Sequence, residues 1–248
     1  MVIFSAYYWD SAIQVSAHHY ARIFSRNGWS VLFLSTPVTP FHAAAVVRSQ
    51  DHRRRFRAWW RRGRVDPATG VTHYMPMTLL PLSSVIGLRY PWILRNWWRA
   101  TVPPLGPAIR RLGFTDPDLV IIDSPLGAFL VDLLRPRHSV MRVTDYNAGF
   151  ASSTAELADI ERNLAGRVDV VAVTASELQP YAQFLVPGKA ITHLPHGVDL
   201  ERFSGPVSSP ADLAALPGPI VMYVGSLREW FDYELLDRLA TALPHMSF

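Results

Sequence analysis

The sequence contains no cysteine. Disulfides and thiolate metal sites are therefore excluded, and the composition suits a reducing compartment. Lysine is almost as scarce. Lys189 stands alone among 24 basic residues, so the net charge of +4 is carried by arginine. No apolar run approaches the roughly 20 residues that span a bilayer. The start, Met1-Val2-Ile3-Phe4-Ser5, has neither a basic segment nor a long apolar one, so no signal peptide is expected. Signatures of several chemistries are missing too. There is no GxGxxG, no Walker loop and no GxSxG, which leaves dehydrogenase, NTPase and hydrolase readings without their usual support.

What is present is 49% hydrophobic over 248 residues, enough for one sizeable core and part of another. Short β-branched runs at 2–5, 29–35, 71–75, 119–123, 139–143, 168–173 and 191–194 read as strands. Several, such as Leu119-Val120-Ile121-Ile122, are apolar on both faces, the pattern of parallel strands covered on both sides. Between them, 12–27, 126–134, 153–165 and 176–185 read as helices, with Gly28 and Gly166 closing two and Ser176 capping another. The expected fold is α/β, with a Rossmann-like parallel sheet over 1–203. Residues 204–219 have linker composition. A fresh strand (220–224), a Gly225-Ser226 turn and a helix (231–243) then read as the first βα unit of a second Rossmann-like domain, incomplete as it stands.

Two segments concentrate arginine and tryptophan. In 48–64 (RSQDHRRRFRAWWRRGR), helical spacing gathers Phe56, Trp59 and Trp60 into one stripe and leaves arginine on the rest of the wheel. That describes a helix lying in a membrane interface, with Arg53, Arg54, Arg57, Trp59, Trp60 and Arg61 as contacts. Residues 88–99 repeat the theme and add Trp97 and Trp98. A solvated basic helix with core aromatics, or a nucleic-acid surface, has the same composition.

Ligands of parallel α/β sheets gather at the carboxyl ends of the strands. Asp145 follows a buried-type strand beside a Gly-containing loop and is placed to act as a general base; a turn aspartate has the same setting. Asp10 and Asp123 also follow strands and are candidates for the same cleft, as are Trp9, His18, Tyr146 and His196 for binding. Asp116-Pro117-Asp118 precedes its strand and reads as a turn rather than a metal motif. His18 and His19 point about 100° apart on a helix and cannot share a metal as i,i+4 ligands would. In the second segment, the backbone amides of Gly225-Ser226-Leu227, with Arg228, have the makings of a diphosphate site.

Taken together, Val170-Val171-Ala172-Val173-Thr174-Ala175-Ser176, Leu194-Pro195-His196-Gly197-Val198-Asp199, Val224-Gly225-Ser226-Leu227 and Arg142-Val143-Thr144-Asp145 resemble the GT-B nucleotide-sugar glycosyltransferases. The likeness is greatest to the membrane-associated inverting glucuronosyltransferases of xanthan-type exopolysaccharide assembly (family 70 like), with similarity also to family 4. The resemblance implies that Asp145 is the base that deprotonates the acceptor and that Gly225, Ser226, Leu227 and Arg228 meet the donor. It further implies a nucleotide-sugar donor, UDP-linked, no metal cofactor, a lipid-linked saccharide acceptor, and a cytoplasmic location at the inner face of the plasma membrane. No nucleic-acid partner is expected. Two alternatives stay open: a retaining family-4-type transferase, and a non-catalytic membrane- or acceptor-binding module.

Overall fold

A computed structural model describes residues 1–40, 50–61, 63–82, 91–150, 153–206, 208, 210–225, 227 and 231–248. The chain forms two units, Met1–Gly197 and Val198–Phe248. In the first, β1 (Val2–Ser5), α1 (Ser16–Arg26), β2 (Leu32–Ser35), α2 (Gln50–Trp60), β3 (Arg64–Val65) and β4 (Thr72–Tyr74) come in that order. They are followed by α3 (Pro91–Asn96), α4 (Leu105–Arg111), β5 (Leu119–Ile122), α5 (Leu130–Leu134), β6 (His138–Val143), α6 (Ala155–Arg167), β7 (Val170–Val173), α7 (Gln179–Leu185) and β8 (Ile191–His193).

The eight strands form one sheet in the order β3-β4-β2-β1-β5-β6-β7-β8. All pairings are parallel except β3 with β4, which are antiparallel. From β4 to β7 this is the doubly wound order, and the direction of winding reverses between β1 and β5. Side chains alternate across the sheet. Ile3, Phe33, Val71 and Ile121 pack with Ala17 and Ala21 of α1 on one face. Phe4, Leu34, Ile122, Met141, Val143 and Val173 meet Leu105, Leu130, Ile160, Leu164 and Leu185 on the other. Strands covered on both faces must be apolar throughout, as their sequences are.

Several element bounds differ from the sequence reading, for local reasons. The helix expected from residue 12 begins at Ser16. Ahead of it, Gln14 bonds the carbonyls of Trp9 and Ser11, and the Val15 amide donates to His18 Nδ1. The helix expected over 126–134 opens as a 3-10 turn, Pro125–Gly127, and only Leu130–Leu134 is α-helical. Gly127 lies so close to the Phe4 ring that a Cβ would sit 2.5 Å from it. Ser176 does not cap a helix: its hydroxyl turns to Glu177, and the turn it begins has no side-chain cap. α6 runs past Gly166 to Arg167, with Thr154 as its N-cap.

Trp97 is fully buried, donates from its indole to the Leu126 carbonyl, and packs edge-on against Phe129. It therefore belongs to the core and not to a membrane-facing surface. Removing an aromatic of this size from water contributes about 4–6 kcal/mol of transfer free energy.

The second unit holds α8 (Leu200–Phe203), α9 (Ala211–Ala214) and α10 (Tyr233–Ala242). The Asp232 side chain caps α10 by accepting from the Leu235 amide at 2.8 Å. In place of the expected strand at 220–224 there is one parallel bridge, Ile220 to Ser247.

Candidate active site

The strands β1, β5, β6, β7 and β8 all point the same way, so their carboxyl ends make one edge. Asp123 comes directly after β5, and Arg142 is the penultimate residue of β6. Arg142 Nη1 donates to Asp123 Oδ2 at 2.8 Å, and the two side chains keep only 1% and 9% of their surface. The guanidinium lies 4.6 Å over the Tyr20 ring of α1. Burial pushes the Asp123 carboxyl up to about 6, against the lowering pull of Arg142. Asp123 Oδ1 and Arg142 Nε and Nη2 are buried without a hydrogen-bond partner. This pair forms the floor of the edge.

Asp145 stands on the rim. It is exposed, and Thr144 Oγ1 donates to its Oδ2 at 2.9 Å. The Asn147 amide closes onto the Asp145 carbonyl at 3.0 Å, starting the 3-10 turn Asn147–Gly149. Side chains of α6 and α7 hold this loop from behind. Asn147 Nδ2 donates to Glu161 Oε1 at 2.7 Å, and Tyr181 Oη donates to Glu161 Oε2 at 2.6 Å. Tyr146, exposed beside Asp145, packs edge-on against Tyr181 at 4.8 Å. Glu161 is 1% exposed, and its burial raises the carboxyl while the bonds from Tyr181 and Asn147 lower it.

Other expected site residues fall in different places. His18 and Trp9 are buried, which leaves them almost no surface for an acceptor. His18 Nδ1 accepts from Val15, Nε2 faces the Tyr8 carbonyl at 3.0 Å, and burial lowers its pKa, so the ring stays neutral. Trp9 donates to Asp66 and stacks between His18 and His73. Both organise the connection after β1. Asp10, midway along that connection, is exposed. His196, past β8, lies with its Nδ1 2.8 Å from Ser16 Oγ at the start of α1. The edge thus brings together Asp123, Asp145, Tyr146 and His196. Of the donor candidates, Gly225 and Leu227 lie in the second unit, and Ser226 and Arg228 lie outside the described residues.

On α2, Arg54, Arg57, Trp60 and Arg61, which follows it, face solvent, as does Arg53. Trp59 does not share that face: it packs with Phe56 on the Tyr8, Val38 and Met75 cluster and donates to the Val102 carbonyl. The expected stripe is therefore split, with Trp60 at 71% exposure on the outside. Trp98, half-buried, stacks on Phe129 at 5.3 Å beneath Arg99. They line a cavity of about 520 Å³ with Arg95, Arg167 and Leu126. Among the described residues no helix is long and apolar enough to cross a membrane.

Arg142, Asn147, Glu161 and Tyr181 were not singled out from sequence. Two of them carry a signal: a charge inside the apolar run Val140-Met141-Arg142-Val143, and a carboxylate on the stripe that runs Leu157, Ile160, Leu164.

The fold is that of the GT-B glycosyltransferases. The sucrose-phosphate synthase from Thermosynechococcus elongatus superposes with a TM-score of 0.69 at 15% identity, over 99% of this chain and 60% of that one. The chain thus spans about 60% of that relative's length. The Arabidopsis thaliana UGT89C1 complexed with UDP aligns at a TM-score of 0.41 and 16% identity, over 91% of this chain and 58% of that one, too loose a likeness to argue from. Residues 3–174 match the family described as "Glucuronosyltransferase GumK, N-terminal domain". That match covers well over half the chain, and the protein belongs to this family. No curated protein matches the sequence.

Proposed function

We propose that the first unit is the acceptor-binding half of an inverting glycosyltransferase and that Asp145 is its base. The observation that carries this reading is the contrast at the sheet edge: Asp145, exposed there like Asp10 and Glu177, sits on a loop tied through Asn147 to the buried Glu161, whereas Asp123 is committed to Arg142. The Asp145 carboxylate takes the proton of an acceptor hydroxyl. The oxygen bonds to C1 of the donor sugar from the face opposite the leaving group, the C1–O bond to phosphate breaks, and a nucleoside diphosphate departs. Positioned proton transfer of this kind typically contributes about 10²–10⁴-fold. The donor is a UDP-linked sugar, glucuronic acid first among the candidates, and Gly225 to Arg228 supply amides and charge for its diphosphate without a metal.

A lipid-linked saccharide suits the acceptor side. The 520 Å³ cavity beginning at Pro125 and Leu126, just past Asp123, joins Arg95 and Arg99 to an apolar wall of Trp98 and Phe129, while Arg167 in its lining is paired with Asp132. Arginine suits phosphate, and the wall suits a hydrocarbon chain. The exposed arginines and Trp60 of α2 suit docking to the anionic inner face of the plasma membrane.

The test is transfer from labelled UDP-glucuronate to a membrane lipid extract by the native gene product, with Asp145→Asn beside the wild type. Loss of about 100-fold or more in kcat, with folding intact, is expected. Transfer that survives the substitution removes Asp145 from the mechanism, and a product with the donor's anomeric configuration removes the inverting mechanism.

A further inference from the structure

The residues that hold Asp145 in place lie on α6 and α7, remote from it in sequence. Glu161 is the centre of that support. Both its oxygens are engaged, by Asn147 at 2.7 Å and by Tyr181 at 2.6 Å, and its side chain is sealed from water. Asn147 is two residues past Asp145, and its own amide closes on the Asp145 carbonyl. The Tyr146 ring rests on Tyr181 and lies so near Gly149 that a Cβ there would come within 2.7 Å of it. From the other side, Thr174 Oγ1 donates to the Thr144 carbonyl at 3.3 Å. The loop is thus tied to α6 and to the end of β7, while the Asp145 carboxylate is left open to solvent.

A buried glutamate in an otherwise apolar helix stripe costs stability unless it is hydrogen-bonded, and this one finds its partners in Tyr181 and in the loop residue Asn147. A leucine at 161 would continue the stripe of Leu157, Ile160 and Leu164. We propose that Glu161 is a positioning residue: it fixes the 145–149 loop through Asn147 and Tyr181 so that the Asp145 carboxylate is held where the acceptor hydroxyl arrives. The proposal rests on Asp145 as base and adds what orients it. An ångström of misplacement at such a group costs on the order of 100-fold in rate.

The test uses the full chain and two readouts. The first is hydrogen exchange at the Asn147 and Gly149 amides, which close the loop onto Asp145 and Tyr146. The second is the kcat and KM of transfer. Glu161→Leu fills the site but leaves Asn147 Nδ2 and Tyr181 Oη without their acceptor. It is expected to speed exchange of those two amides selectively, to lower kcat about 10–100-fold, and to leave KM within about threefold. Glu161→Gln keeps both bonds, since its oxygen accepts from Asn147 and its amide donates to Tyr181. It should restore most of kcat. Asn147→Ala cuts the loop tie from the surface side without touching α6, and should reproduce the leucine effect even if Glu161→Leu folds poorly. In an Asp145→Asn background, neither change should lower the residual rate further.

Acceleration of exchange across the whole sheet, with kcat falling only as the folded fraction falls, would make Glu161 a purely structural residue and overturn the proposal. So would a freed loop with kcat intact, or an unaltered loop in both Glu161→Leu and Asn147→Ala. If Asp145→Asn itself leaves transfer intact, the base reading fails, and the selective exchange change alone reports that Glu161 anchors the loop.

Discussion

Asp123 and Asp145 come from adjacent strands of one sheet and stand at the same edge, yet their surroundings set them to different work. Asp123 is nearly sealed, bonded to a buried arginine that is itself covered by Tyr20. Asp145 is exposed, with a threonine hydroxyl on one oxygen and a loop pinned from behind by Glu161. A carboxylate in a dry site must be paired, and once paired it is committed; one on the rim keeps a lone pair for a substrate proton. Position at a strand end therefore does not by itself mark a catalytic group. The sharpest way to separate the two is to remove each and read stability and chemistry independently.

The largest effect is expected at the floor. Asp123→Ala leaves the Arg142 guanidinium buried with no counter-charge, a change that typically costs about 3–5 kcal/mol. Urea unfolding of the first unit should show this loss, while Asp145→Asn shifts the midpoint little, as surface changes stay within about 0.5 kcal/mol. Equal destabilisation by the two would erase the distinction between floor and rim.

Next in size is a pH effect confined to Asp123. Its carboxyl is pushed up to about 6 in the fold from an ordinary value of 3.8. The native state therefore binds its proton more tightly than the unfolded chain does. Its contribution to stability is fully present below pH 3.8 and is lost as pH rises through about 6. The difference in unfolding free energy between wild type and Asp123→Asn should fall by up to about 3 kcal/mol over that window and be flat above pH 7. A constant difference from pH 4 to 7 would mean that Arg142 offsets the burial completely.

How much of this was legible in the sequence depended on the distance between partners. The strands were, because β-branched runs apolar on both faces have few other uses: β1, β5, β6 and β7 fall within a residue or two of the runs that suggest them. The carboxyl edge followed from the alternation of strands and helices, and with it Asp123, Asp145 and His196. The ties that give each residue its character were not legible. Arg142 reaches Asp123 across 19 positions, and Glu161 reaches Asn147 across 14 and Tyr181 across 20. No local pattern encodes such pairings. Trp9 and His18 resembled cleft residues because they follow the first strand, on the connection and at the start of α1, whereas here each ring nitrogen is turned inward to a partner. β3 went unseen because two residues at a charged edge leave no periodicity to read.

The arginine and tryptophan segments show the same division on a smaller scale, and supply the smallest expected effect. A helical wheel places Trp59 and Trp60 about 100° apart, close enough to count as one stripe. In the fold that angle separates inside from outside. Trp59 donates to the Val102 carbonyl and packs on the core, whereas Trp60 is bare among arginines. Trp60→Ala should therefore leave unfolding within about 0.5 kcal/mol of wild type. Sedimentation with vesicles containing an anionic lipid should instead show weaker binding, and neutralisation by Arg54→Gln or Arg57→Gln should reduce it about fivefold each, the equivalent of about 1 kcal/mol per charge near the surface. Binding should fall steeply with added salt, because arginines this exposed are screened within about 10 Å at 0.1 M. Binding unchanged by either substitution would make α2 a solvated helix whose useful aromatic is Trp59, and the proposed membrane contact would have to move elsewhere on the molecule.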